Sequence, residues 1–264
     1  MAGKQVNGRA LVTGAGARLG RAMAVYLAGR GYDVAVHYAG SSDGAGKTVA
    51  ACEAAGARAV ALQADLLDLA ASEALVPRAA KALGGRLNLL VNNASIFEFD
   101  RLDTATAESW ERHIGSNLRA PFFLTQAFAA QAPAAATEGG EPLATGLVVN
   151  MLDQRVRKLT PEFMTYTIAK MGLWAFTQTA AQALAPAIRV NAIGPGPTLR
   201  GGRQSEDHFA RQRASTVLER GAHREDITAA LGYLIDAKAV TGQMIAVDGG
   251  QHLGWQTPDI LGLE

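Results

Sequence analysis

Arg9-Ala10-Leu11-Val12-Thr13-Gly14-Ala15-Gly16-Ala17-Arg18-Leu19-Gly20 is the stretch on which the fold turns. The short apolar run predicts a strand over residues 9–13, and residues 18–30 then read as a helix closed by Gly31. Glycines between the two allow a tight turn and a close approach of backbone to a ligand. The helix N-terminus behind them offers amide N–H groups to a pyrophosphate. Taken alone, such a turn is as often purely structural. Its weight comes from what flanks it.

Outward from this stretch the same alternation continues. Residues 33–37 (DVAVH), 58–62, 88–91, 146–151, 188–191 and 244–247 (MIAV) read as strands. Residues 44–55, 72–83, a long region 106–131 and 161–184 read as helices. The strand-like runs are nearly all apolar rather than alternating, as strands covered on both faces require. Strand and helix in regular succession indicate βαβ units. The expected fold is α/β: one domain over residues 1–264, a doubly wound parallel sheet of about seven strands with helices on both faces. Two segments break the rhythm. Residues 132–145, rich in Ala, Pro and Gly, read as an extended surface loop. Residues 198–215 are polar and follow a Gly194-Pro195-Gly196 turn. Open α/β sheets bind ligands outside the carboxyl ends of their strands, so 198–215 is a candidate substrate lid, with an ordinary loop as the alternative.

Composition narrows the class. Of 264 residues, 48% are apolar and 19% charged, with a net charge of +1, which suits a globular protein with a sizeable core. A nucleic-acid partner is not expected, because the basic residues are scattered among acids rather than gathered. Arg155, Arg157 and Lys158 form the densest basic run, beside Asp153; a solvated loop accounts for it, and a substrate contact is the other reading. The single cysteine, Cys52, excludes an intramolecular disulfide and has no recognisable His partner, so a buried small residue is expected there. No apolar run reaches the roughly 18 residues of a membrane span, and residues 1–9 contain no secretory apolar segment. The cytosol is the expected location, with neither membrane attachment nor a metal site.

Tyr166-Thr-Ile-Ala-Lys170 places a phenol and an ammonium four residues apart, on one face of a helix. A free tyrosine titrates near about 10. A neighbouring ammonium favours the phenolate, and the pair then suits general acid–base work. Such a spacing also arises by chance, so the pair needs company.

That company is present, and in order. The Thr13–Gly20 loop, Asp65 after the third strand, Asn92-Asn93-Ala94 after the fourth, Asn117, the Tyr166/Lys170 pair, and Asn191 through Pro195-Gly196 together resemble the short-chain dehydrogenase/reductase family over almost the whole chain. The resemblance implies a Rossmann-type fold and an enzyme. It implies a cofactor cleft lined by Gly14, Arg18, Leu19, Gly20, His37, Tyr38, Ser41, Ala64, Asp65, Leu66, Asn93, Ala94, Ser95, Pro195 and Gly196, with Tyr166 and Lys170 at its reactive end. It further implies that Asp65 lies near the adenine, that Lys170 meets the nicotinamide ribose, and that Asn117 orders a water beside Lys170. Catalysis would rest on Asp153, Tyr166, Lys170 and Asn117. The family commonly assembles as tetramers or dimers through its two long helices, here 106–131 and 161–184, so a homo-oligomer is expected.

Two departures sharpen the comparison. Arg18 stands where the family usually has Gly, and Asp153 where it usually has Ser. Both resemble the pteridine and dihydromonapterin reductases. So do Asn93-Ala94-Ser95-Ile96-Phe97, His37-Tyr38 and Asn150-Met151-Leu152-Asp153. A pterin is a flat, nitrogen-rich ring. Phe97 can stack on it, Arg18 can donate to it or to a cofactor phosphate, and Ser95, Asp153 and Tyr166 complete the expected substrate set. Asp153, its pKa raised by burial, suits a proton destined for ring nitrogen. Core packing for Phe97 and a turn role for Asp153 are the competing readings.

Cofactor preference is read from the end of the second strand. Folds that prefer NAD place an acid there for the ribose 2′-hydroxyl. This chain has His37-Tyr38-Ala39-Gly40-Ser41-Ser42, with no acid before Asp43. NADPH is expected, with His37, Ser41 and Ser42 near the 2′-phosphate, although the related reductases usually carry Arg at the place of Gly40. The expected activity is an NADPH-dependent reduction of a pterin-like small molecule. Reduction of a ketone, sugar or 3-oxoacyl thioester is the alternative, and a non-catalytic NADPH sensor is the alternative of another class. Residues 255–264 either fold back or complete a neighbour's site.

Overall fold

Seven strands form one parallel sheet in the order β3-β2-β1-β4-β7-β8-β9. The structure, a computed structural model, describes residues 7–202 and 204–257. The segment 1–6, residue 203, and the part of the expected tail segment from 258 onward lie outside the described residues. The strands are β1 (Gly8–Val12), β2 (Tyr32–Tyr38), β3 (Ala59–Gln63), β4 (Leu89–Asn92), β7 (Gly146–Met151), β8 (Ile188–Pro195) and β9 (Met244–Val247). The helices are α1 (Arg18–Gly29), α2 (Ser42–Ala54), α3 (Leu69–Leu83), α4 (Ala107–Ile114), α5 (Ala120–Gln131), α6 (Met164–Ala183), α7 (Glu206–Ala214) and α8 (Arg224–Asp236).

Both faces of the sheet are covered, which explains the continuous apolar strands. Along β1, Ala10 and Val12 pack with α1, α2 and α8, whereas Leu11 faces α3 and α5. In β4, Leu89 and Val91 take the first face and Leu90 the second, and β7 repeats this with Leu147, Val149 and Met151 against Val148. A period of two with apolar residues in both phases is a sheet buried on both sides. Cys52 belongs to the first core and is fully buried, and burial pushes its thiol up to about 11. It is packing, as its sequence context suggested.

The strand order reverses at β1: β2 and β3 lie on one side of it, and β4 on the other. A crevice at the carboxyl ends of the strands is expected at such a reversal.

The region 106–131 is helical as expected, and a π-helical turn, Gly115–Arg119, joins α4 to α5 and carries Asn117. One expectation needs correction. Residues 132–145 are not a plain loop, since β5 (Ala136–Glu138) and β6 (Glu141–Leu143) pair there as an exposed antiparallel hairpin. Gly139 and Gly140 turn it with φ of 61° and 87°, a conformation that glycine adopts readily. No helix of the described residues is long and apolar enough to cross a membrane.

Candidate active site

The crevice begins with the turn after β1. Thr13 Oγ1 accepts the N–H groups of Asn93 (2.8 Å) and Ala94 (2.9 Å), stitching this turn to the one after β4. Asn93 returns the contact, donating from Nδ2 to the Thr13 carbonyl at 2.8 Å. Glycine is required at position 20, because a Cβ there would overlap the carbonyl oxygen of Gly14. α1 opens with neither a side-chain cap nor an acidic residue in its first turn. Its leading amides are therefore left for a ligand, and a negatively charged one suits them.

In front of them lies a cleft of about 800 Å³. Of the residues expected there, Gly14, Arg18, Leu19, Gly20, His37, Asp65, Leu66, Asn93, Ala94, Ser95 and Gly196 line it. Tyr38, Ser41, Ala64 and Pro195 do not, although Ala39 and Gly40, between the first two, do. His37 needs the clearest correction. Its ring is 1% exposed, with Nδ1 accepting the Gly14 N–H at 3.0 Å and Nε2 placed 3.1 Å from the Ala64 carbonyl. Those partners fix a neutral ring with its proton on Nε2. Burial lowers its pKa, so it braces the glycine turn rather than offering a charge to a phosphate.

Arg18 also departs from expectation. It holds a left-handed φ of 53°, a conformation that favours glycine. Its guanidinium does not turn to the reactive end. It donates to the carbonyls of Arg200 (2.9 Å) and Leu199 (3.1 Å), at the start of the candidate lid. Thr198 and Leu199 line the cleft, and within the segment the polar helix α7 follows.

The expected Phe97, Asp153, Tyr166 and Lys170 are not among the residues that line this cleft, and Tyr166 meets the lining through Ser95. Tyr166 is 5% and Lys170 2% exposed, both on α6. Tyr166 Oη donates to Asp153 Oδ2 at 3.0 Å. Asp153 Oδ1 accepts the Arg155 N–H at 2.9 Å, so the carboxyl also caps a short turn. The turn role is realised, and the same carboxyl is the hydrogen-bond partner of the Tyr166 hydroxyl. Lys170 Nζ donates to the Met151 carbonyl at 2.7 Å and stands 5.6 Å from the Tyr166 ring centre.

The electrostatics reverse one expectation. Burial, then the Asp153 carboxylate, hold the Tyr166 phenol well above its ordinary pKa. The ammonium of Lys170 does not lower it, being directed at a carbonyl and itself brought down to about 8 by burial. Burial raises Asp153, against the opposing Arg155 N–H and charge. The site as built holds a protonated phenol beside a carboxyl inclined to take a proton, which suits a general acid.

Asn117 is fully buried, and its amide closes a two-way bridge with the Ile96 backbone, accepting at 2.8 Å and donating at 2.8 Å. Its side chain therefore does not reach Lys170, and any water-ordering role falls to its backbone in the π-turn. Asn191 is structural, joining β8 to the approach of β9 through Val240 and Gln243.

Phe97 is 46% exposed and lies with its ring centre 4.7 Å from that of Tyr166. It belongs to an aromatic wall with Phe163, stacked at 4.3 Å and 7°. Arg155 lies 4.8 Å from the Phe163 ring centre, and Lys158 donates to the Gln251 carbonyl at 3.4 Å. The basic run is thus tied down rather than merely solvated. Sequence reasoning missed Phe163, and also Asp100, His113 and Thr165 beneath Tyr166. The one available signal was the aromatic repeat Phe97, Phe99 and Phe163 around the Tyr.

Known proteins share this fold. Residues 14–252 match a short-chain dehydrogenase family model described as enoyl-(acyl carrier protein) reductase. The chain is similar to the FolM alternative dihydrofolate reductase 1 of Brucella suis, crystallised with NADP: 40% identity, TM-score 0.89, covering 97% of this chain and 100% of that one. It is also similar to a short-chain dehydrogenase of Burkholderia cenocepacia crystallised with NADP, at 32% identity and TM-score 0.83, over 94% and 99% of the two chains. The 3-oxoacyl-[acyl-carrier-protein] reductase FabG of Staphylococcus aureus is 32% identical over 249 residues, 92% of this chain and 98% of that protein. The chain belongs to the short-chain dehydrogenase/reductase family of oxidoreductases.

Proposed function

We propose that this protein is an NADPH-dependent reductase of a pterin ring. The observation that carries the reading is the 3.0 Å hydrogen bond between Tyr166 and the Asp153 carboxyl, placed where a carbonyl-directed site needs only a hydroxyl. The open, uncapped N-terminus of α1 on the cleft fits a dinucleotide pyrophosphate. Gly14, Leu19, Gly20, Asn93, Ala94 and Gly196 would hold the dinucleotide, with Asp65 toward the adenine. Ala39 and Gly40, rather than an acid, close the β2 end of the cleft, which leaves room and no repulsion for a 2′-phosphate. The crystallised relatives holding NADP support the same preference. When bound, the cofactor supplies a hydride.

The protein's own part is the proton. Reduction of a ring C=N adds hydride to carbon and a proton to nitrogen. Tyr166 donates that proton to the ring nitrogen, Asp153 passes a proton drawn from solvent to the phenolate, and the Lys170 ammonium holds the nicotinamide ribose. Phe97 gives the flat ring an aromatic face. The segment that opens with Thr198 and Leu199, clasped by Arg18, acts as the lid of the cleft. Exposed apolar residues on α4, α5 and α6 (Trp110, Phe122, Ile168 and Met171) support assembly through those helices.

The test is NADPH oxidation with dihydrobiopterin, dihydromonapterin and dihydrofolate, set beside a 3-oxoacyl thioester and a simple ketone. Turnover of at least one dihydropterin at the highest kcat/KM is expected. Turnover of the thioester or ketone alone would replace this reading with the second one, which the resemblance to the Staphylococcus aureus enzyme favours.

A further inference from the structure

The helix that carries Tyr166 has no cap of its own. Residue Phe163 sits at its N-cap position in the left-handed conformation, φ 56°, with no side-chain hydrogen bond to the first turn. The leading amides of a buried helix end need partners. They find them in Asp100, from the segment that follows β4. Its carbonyl accepts the Phe163 N–H at 2.8 Å, and its carboxylate accepts the Thr165 N–H at 3.2 Å. The same carboxylate, 2% exposed, accepts from Ser109 Oγ at 3.3 Å and makes a short hydrogen bond with Thr165 Oγ1.

Thr165 has a second partner, the fully buried His113 of α4. Its Nδ1 lies 2.7 Å from Thr165 Oγ1, and its Nε2 is 3.1 Å from the Glu98 backbone nitrogen. A backbone N–H can only donate, so Nε2 is an acceptor and the proton of a neutral ring must sit on Nδ1. The chain of bonds then has one direction: Glu98 N–H to His113, His113 Nδ1–H to Thr165, Thr165 hydroxyl to Asp100. Burial, outweighed by the hydrogen bonds from Thr165 and Ser109, leaves Asp100 below the ordinary carboxylate pKa, while burial lowers His113 and keeps it uncharged. The imidazole edge lies 5.9 Å, centre to centre, from the Tyr166 ring.

We propose that Asp100, through Thr165 and His113, is the positioning device that fixes Tyr166 against Asp153 and holds Phe97 in the same frame. It caps in trans the turn that carries the phenol. It also anchors residues 97–100, so the proton donor and the aromatic wall cannot move separately. None of the three residues meets the substrate. Their effect is on alignment, and misplacing a catalytic group by about 1 Å costs of order a hundredfold. The inference rests on Tyr166 being the proton donor, as proposed above, and does not depend on the substrate being a pterin.

Thr165→Val removes the hydroxyl and nearly keeps the shape, and Thr165→Ser restores the hydroxyl. Asp100→Asn keeps an acceptor for the Thr165 N–H and removes the charge. Two readouts need no turnover: hydrogen–deuterium exchange over residues 164–169, and the 15N chemical shifts of His113, which report its tautomer. In Thr165→Val and Asp100→Asn we expect exchange at least tenfold faster there, and for Thr165→Val a shifted His113 Nδ1 resonance as its hydrogen bond to the hydroxyl is lost. Both variants should lower kcat tenfold or more, with KM and NADPH affinity within twofold, and Thr165→Ser should recover most of it. Unchanged exchange in folded Thr165→Val and Asp100→Asn would overturn the proposal whatever the substrate. So would a kcat loss that serine fails to restore. A wild type that reduces a ketone or thioester and no dihydropterin overturns only the pterin reading, and the same kcat comparison is then made on that substrate.

Discussion

Tyr166 is surrounded by groups that keep its proton on. Replacing it by Phe should cut turnover by a factor on the order of 10²–10⁴, with NADPH affinity, measured by fluorescence titration, nearly unchanged. Asp153 separates the two readings of function. Asp153→Ser should lower kcat on a dihydropterin at least tenfold, and an increase instead would place the substrate among carbonyl compounds. Lys170 gives a pH dependence. Its ammonium, brought down to about 8 by burial, is present below that pH and lost above it. Because the proposed contact with the nicotinamide ribose uses the charged form, kcat/KM for reduction should fall through pH 8–9, and a flat profile to pH 10 would contradict the role. These residues were legible because they stand in an ordered set of motifs that resembles a known family, which spacing alone would not have marked. Asp100, Thr165 and His113 were not, because their meaning lies in contacts spanning 52 and 65 residues that no local pattern announces.

At the level of elements, the succession of strands and helices was legible wherever both faces of a segment had to be apolar, as in β1, β4 and β7. It did not show the change of period inside the helical run 106–131, where Asn117, bridged to Ile96, lies in a π-turn. The candidate lid shows a similar limit. Its polarity was visible in sequence, whereas its attachment through Arg18 was not. For that residue the magnitudes nearly cancel. A left-handed non-glycine residue costs about 1–2 kcal/mol, and two hydrogen bonds return about 0.5–1.5 kcal/mol each. Arg18→Gly should therefore leave Tm within about 3 °C. It should weaken NADPH binding several-fold and speed proteolysis within 198–215. Cleavage and affinity equal to wild type would show that the clasp does not close the lid.

Across the whole molecule, His37 and His113 are held neutral by burial, their pKa values below the 6.5 of an exposed ring. Between those folded values and 6.5 the unfolded chain binds more protons than the folded one. Their contribution to stability is thus complete above pH 6.5 and lost as pH falls toward the folded values. Thermal denaturation at pH 7.5, 6.5 and 5.5 should show Tm falling more steeply over the second interval, and an even slope would contradict the linkage. Assembly is checked by light scattering. Phe122→Asp with Met171→Asp should shift an oligomer to monomer, whereas an unchanged mass would place the interface elsewhere. The hairpin β5–β6 has a practical use. It precedes β7, so it lies at the amino ends of the parallel strands, across the sheet from the cleft. Its glycine tip is exposed, and Thr145 Oγ1 closes its base on the carbonyls of Pro133 and Ala134. A peptide tag or a second folded domain spliced between Gly139 and Gly140 should be carried without loss of turnover. The enzyme thus offers an internal point for immobilisation on a support, with its reactive end facing away from the surface.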